Sequence, residues 1–288
     1  MKKLLALILS ILLLTGCAPA VYDGPTQSAW VITEQRITHY DRYTGKTRTN
    51  TQLNSYDVFG NLIRQMFYAD DELTSQIDLT YDDRGNCTRT VTRNHFWLLA
   101  YPISRTDYTY DEQDRLLTTT YRNGFGFKTG SDTYSYDDEM GTVSWVGTYD
   151  SQTKYLNENG DILRVVTYSN PTDSQMESIY EYDALGRNTK ILQYIDGEPA
   201  YTTERHFDDQ DRIIRSTMYD SSGTVLTDFT YEYTENTVTT LDRDGSKGVK
   251  TLRPDGQPEK NESYDPEGNL LTRTDYTYTE ILIPAKEE

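Results

Sequence analysis

YDVFGNL (Tyr56–Leu62) occurs again as YDDRGNC at Tyr81, YDEQDRL at Tyr110, YDALGRN at Tyr182, FDDQDRI at Phe207 and YDPEGNL at Tyr264. Aspartate at the first position of a β-turn accepts the backbone amides ahead of it. A glycine three residues later takes the left-handed conformation that closes the turn. The matched positions are Asp57 with Gly60, Asp82 with Gly85, Asp183 with Gly186 and Asp265 with Gly268. Asp111 and Asp208 are followed instead by Asp114 and Asp211, and aspartate tolerates left-handed backbone better than most residues. Each copy therefore predicts a hairpin turn.

Strand signals flank every turn. Asp107, Tyr108 and Thr109 lead into one copy and LLTTTY follows it, a run of β-branched and aromatic residues. Tyr134 with Tyr136, Tyr180 with Tyr182, Tyr231 with Tyr233 and Tyr276 with Tyr278 are spaced two apart, so each pair shares one face of its strand. The repeat of about 25 residues runs through positions 56, 81, 110, 136, 156, 182 and 207. Second turns fall between the copies, for example at Ala69–Glu72, Asn123–Gly130 and Asp196–Pro199. The expectation is an all-β fold, a long antiparallel meander of hairpin repeats forming a curled sheet of roughly twenty strands. Twenty-five tyrosines against seven phenylalanines and three tryptophans suit a thinly covered sheet whose rings are buried and whose hydroxyls stay in water.

The opening MKKLLALILSILLLTGCAPA has two lysines, an apolar run and small residues before a cysteine. It reads as a secretory leader over residues 1–16, and LTGC resembles the bacterial lipobox, which makes Cys17 the acylated residue. A linker is expected over residues 17–29, the sheet domain over 30–280 and a tail over 281–288. The implied address is extracytoplasmic, held at the cell-envelope membrane by the lipid. A net charge of −18 argues against nucleic acid and anionic headgroups as partners. Cys87 alone remains for a disulfide once Cys17 is acylated, so no intrachain bridge is expected.

Cys87 stands where other copies have Leu62, Leu116, Ile213 and Leu270, and reads as apolar filler beside the turn. His39 and His206 fall on the strand face opposite the tyrosines, and the three histidines show no zinc-ligand spacing. Asp111, Glu112 and Asp114, Asp137, Asp138 and Glu139, and Asp208, Asp209 and Asp211 share one edge of the meander. They are read as a solvated acidic rim, and no metal or cofactor is expected. No nucleophile with a neighbouring base is visible, so the chain is read as noncatalytic. The apolar connection from Phe96 to Tyr101, with Trp97, either caps the curled sheet or presents a contact surface; with Phe125 and Phe127 in the next loop of the same edge it is the candidate binding patch.

The Y-D-x-x-G-[NR]-L pattern resembles the RHS or YD repeat of bacterial secreted and surface proteins, over roughly residues 37 to 279. The resemblance implies a carbohydrate-binding or adhesive module. In long members of that family the sheet spirals into a hollow shell around a toxin, whereas this chain has far fewer repeats and no recognisable toxin segment. The expected partners are the membrane through the lipid and a glycan or another envelope protein. The alternative is an immunity or inhibitor protein whose acidic edge neutralises a basic toxin.

Overall fold

The computed structural model describes residues 26–96 and 99–285. Cys17, the leader, most of the linker, Trp97 and the side chain of Phe96 lie outside the described residues. Twenty strands follow one another: β1 (Thr26–Tyr40), β2 (Thr47–Tyr56), β3 (Leu62–Ala69), β4 (Glu72–Tyr81), β5 (Cys87–Phe96), β6 (Leu99–Tyr110), β7 (Leu116–Asn123), β8 (Lys128–Asp137), β9 (Thr142–Val146), β10 (Asp150–Leu156), β11 (Ile162–Ser169), β12 (Ser174–Tyr182), β13 (Asn188–Ile195), β14 (Glu198–Phe207), β15 (Ile213–Asp220), β16 (Val225–Tyr233), β17 (Thr237–Leu241), β18 (Lys247–Leu252), β19 (Pro258–Tyr264) and β20 (Leu270–Pro284). Each pairs antiparallel with the next, and β1 pairs antiparallel with β20, so the sheet closes on itself. Closure gives every strand a neighbour on both sides, although residues 26–32 of β1 and 278–284 of β20 pair only with each other.

The repeat explains the curl. Register shifts fall at Ser55/Tyr56, Thr80/Tyr81, Thr109/Tyr110, Glu181/Tyr182 and His206/Phe207, next to the turn of each motif copy. A bulge bends its strand and sharpens the local twist. Further shifts at Phe67/Tyr68, Tyr121/Arg122, Met218/Tyr219 and Ser263/Tyr264 lie toward the other rim, and bends repeated along both rims turn a wide sheet into a ring.

The seam is longer than the sequence suggests. Thr26 to Ala29, read above as linker, pair with Pro284 to Ile281, read above as tail. These flanks have no hairpin neighbour in sequence, and only the meeting of the two chain ends gives their backbone groups partners. Arg253 lies 4.8 Å from the Trp30 ring of β1 and 4.4 Å from the Tyr278 ring of β20, clamping one rim of the seam. On the other rim Arg42 pairs with Asp265 at 2.8 Å and with Glu267 at 3.2 Å.

No apolar side chain among the described residues is fully buried. Barrels of sixteen or more strands have interiors wider than their side chains can fill, and this ring follows that rule. The two faces differ in chemistry. One carries ion pairs across neighbouring strands: Arg64 with Asp78, Arg89 with Asp107, Arg164 with Glu177 and Arg215 with Asp228. The other carries the motif tyrosines among Gln52, Asn54, Gln65 and Gln193.

Candidate functional site

The motif turns have one geometry. The Asp57 amide donates to the Asn61 carbonyl and the Gly60 amide to the Asp57 carbonyl, while Asp57 Oδ1 accepts the Phe59 and Asn61 amides at 2.9 Å. Asp82, Asp111, Asp183 and Asp208 repeat the same pair of side-chain bonds. Gly60, Gly85, Gly186 and Gly268 have φ between 78° and 86°, and Asp114 and Asp211 stand at 61° in the same slot. The Asp265 turn lies on the opposite rim from the other copies, because it joins β19 to β20 while they follow even-numbered strands.

The residue after the glycine has a role that the motif alone did not disclose. Arg187 donates to Asp183 Oδ2 at 2.7 Å, stacks 5.0 Å from the Phe207 ring and reaches Asp211 of the next turn on that rim at 2.9 Å. Arg115 does the same with Asp111, Tyr136 and Asp138. These arginines, with the amides of the turn, hold the Asp183 and Asp111 carboxyls below their ordinary range. The rim is thus acidic in composition but internally paired, and its aspartates are engaged in fixing corners.

The tyrosine hydroxyls are not left in water as expected. Those of Tyr56, Tyr81, Tyr110, Tyr136, Tyr182, Tyr233 and Tyr278 donate to the carbonyls of Ile32, Leu62, Cys87, Leu116, Ile162, Ile213 and Pro258, at 2.7 to 2.9 Å. Each ring leans toward the strand that precedes its own, its direct neighbour in the sheet, and bonds a carbonyl in the first part of that strand. The backbone ladder stops short of this end of each pair, at Arg64 with Asp78 for β3 and β4, and the phenol donates to the neighbouring strand's carbonyl beyond it. These seven rings are structural, each tied to the neighbouring strand by its hydroxyl.

A different group of aromatics lies on the second rim. Asn123 builds the β7–β8 turn in the manner of the motif aspartates, accepting the Phe125 and Phe127 amides at 3.1 Å. Phe125 and Phe127 project from it, 89% and 70% exposed. Beneath this hairpin, at the start of β8 and across to β10, lies a cavity of about 260 Å³ lined by Tyr121, Asp132, Trp145, Gly147, Tyr149 and Asp150, with threonines at 129 and 148.

Register builds the cavity. Tyr121 faces Gly130 across β7 and β8, so its ring has room to lie flat over the glycine. Tyr134 faces Trp145, which brings the residues after β9 beside Asp132. A Cβ on Gly147 would stand 2.6 Å from Asp132 Oδ1 and 3.0 Å from Trp145 Cζ3. Glycine is therefore required there by space. The Tyr121 hydroxyl donates to Asp132 Oδ2 at 2.6 Å, which pushes the phenol's pKa up, with burial adding to the effect. Tyr149 is 64% exposed and keeps its ring open to solvent.

Phe125 and Phe127 thus project from the turn between the two strands that carry Tyr121 and Gly130 of the cavity, without lining it themselves, while the other half of the predicted patch, Phe96 and Trp97, is not described at side-chain level. Sequence reasoning passed over Tyr121, Asp132, Trp145, Gly147 and Tyr149. The signal was present in WVGTYD, Trp145 to Asp150, where two large rings flank a glycine in a short turn. What it lacked was the register that places Asp132 beside them. Cys87 is half-buried, its thiol pKa raised by burial. His39 and His206 are exposed, and His95 has a buried, unpartnered Nε2 with its pKa lowered by burial.

No family model and no curated protein matches the chain. Among solved structures, a TcdB2-TccC3 crystal structure aligns over 82% of this chain and 19% of that one, at 12% identity and a TM-score of 0.33. The chain thus spans about a fifth of that structure's length. A porin-like protein from Bacteroides uniformis aligns over 88% of this chain and 99% of its own, at 14% identity and a TM-score of 0.39. A second porin-like protein, from Bacteroides vulgatus, covers 86% and 98%, at 13% and 0.28. At these scores the matches carry no argument about function.

Proposed function

We propose that the protein is a noncatalytic, lipid-anchored envelope module that binds a glycan at the rim cavity beside Phe125 and Phe127. The observation that carries this reading is the cavity itself: open aromatic rings beside a fixed carboxylate and threonine hydroxyls. Sugar rings offer apolar faces for aromatic stacking and hydroxyls for a carboxylate to accept. The lipobox-like LTGC at Cys17 supports the extracytoplasmic address.

The faces of the ring support a water-exposed wall. Among the described residues neither face offers an unbroken apolar band on the order of 25 Å tall, which a lipid-facing barrel wall needs. One face is interrupted by arginine–carboxylate pairs, the other by glutamines and asparagines. The lipid, rather than the wall, is therefore the proposed membrane contact.

The test is a glycan array with the purified mature chain and its Tyr149→Ala and Phe125→Ala variants. The expected result is a set of glycan hits whose signal falls about fivefold in Tyr149→Ala, since stacking rings contribute on the order of 1 kcal/mol. Absence of any glycan hit, or hits unaltered by both substitutions, overturns the reading, and recovery of a protein partner by pull-down would replace it.

A further inference from the structure

The carboxylates of the cavity differ from the arginine-paired ones of the strands. Asp78, Asp107, Asp228 and Asp275 each have an arginine within 3 Å. Asp132 takes the Tyr121 hydroxyl on Oδ2 and Asp150 lies on the same wall, yet no lysine or arginine lines the cavity. Two carboxylates therefore face a half-enclosed space without a counter-charge, and the rings of Tyr121, Trp145 and Tyr149 surround it.

Half-burial of an uncompensated carboxylate is costly, and the cost is recovered when a cation enters. Aromatic faces attract ammonium groups within about 6 Å of the ring centroid. A carboxylate with one oxygen held by a phenol keeps its other oxygen for a charged N–H donor, the stronger class of hydrogen bond. An anionic ligand meets two like charges here, and a neutral one leaves them unpaired.

We propose, resting on the glycan reading above, that the ligand bears a protonated amine, as a free amino sugar does, and that Asp132 receives that amine with Trp145 and Tyr149 flanking it. The Tyr121 hydroxyl positions the carboxylate. The site thereby prefers a de-N-acetylated glycan to its N-acetylated form, in which the nitrogen is a neutral amide.

Isothermal titration of the full mature chain with a glucosamine trimer and with its N-acetylated counterpart tests this. The free amine is expected to bind at least tenfold more tightly. Asp132→Asn, isosteric with the native side chain, is expected to abolish that preference with an unchanged melting temperature. Equal binding of the two trimers overturns the amine assignment and leaves the glycan reading in place. Binding of neither overturns the amine assignment, and the glycan reading then stands or falls on the array. A preference for the amine that survives Asp132→Asn and Tyr149→Ala, and disappears in high salt, identifies diffuse attraction to the acidic surface and also overturns the assignment. Should Asp132→Asn melt early, Tyr149→Ala supplies the decisive comparison, since that ring makes no side-chain hydrogen bond.

Discussion

Removing three tyrosine hydroxyls at once tests whether the motif aromatics hold the ring together by more than their surface. Tyr110, Tyr182 and Tyr233 donate to the carbonyls of Cys87, Ile162 and Ile213 at 2.8, 2.7 and 2.8 Å. Phenylalanine keeps the ring and its partial burial, so only the hydroxyl bond is lost. A hydrogen bond of this kind has a net worth of about 1 kcal/mol, within a range of roughly 0.5 to 1.5. The three sites lie in β6, β12 and β16, four or more strands apart, or roughly 19 Å along the sheet at about 4.8 Å per strand. Such distances make the losses additive, about 3 kcal/mol for the triple variant. Urea unfolding followed by far-ultraviolet dichroism measures it as a lowered midpoint with an unchanged slope. Tyr149→Phe, which removes a hydroxyl from an open ring, is the control and is expected to shift nothing. A triple variant within about 0.5 kcal/mol of the parent would mean that water replaces the carbonyls freely, and the structural role assigned to these hydroxyls would be wrong.

Three further outcomes follow from the same geometry. Asp228, held near pKa 2 chiefly by Arg215, and Asp265, held near 2 chiefly by the Asn269 side chain, have folded values below the ordinary carboxylate. Their stabilisation is present above about pH 4 and lost as pH falls toward 2; a melting temperature that is flat between pH 6 and 2.5, or an Asp228→Asn variant equally acid-labile, would contradict this. Gly124→Ala places a Cβ 2.1 Å from the Pro102 carbonyl oxygen, and because backbone must move, a loss of about 1–3 kcal/mol is expected in thermal unfolding. Arg253→Ala removes the guanidinium from between Trp30 and Tyr278 and should speed amide exchange in Thr26 to Ile32 while leaving β12 and β13 protected; a uniform rise would place the clamp elsewhere.

The sequence by itself determined the corner and the strand. Aspartate and glycine at fixed spacing are local instructions, satisfied within five residues, as Asp57 to Asn61 shows. Alternation of tyrosine with polar residues told which side chains share a face. Neither signal depends on anything distant, so both could be read along the chain, and the meander with its number of strands followed.

Closure, the seam and the cavity belonged to the tertiary structure. Thr26 to Ala29 carry no strand signal of their own and become strand because Ile281 to Pro284 arrive beside them at the end of the ring. Arg115 and Arg187 find the next turn, and each of the seven bonded phenols finds a carbonyl about twenty residues back, only once the strands are paired side by side. Asp132 meets Tyr121 and Gly147 through cross-strand register alone. The physical reason is common to all of these: a contact between strands depends on register and bend summed over many corners, and that sum is a property of the closed sheet rather than of any stretch of residues.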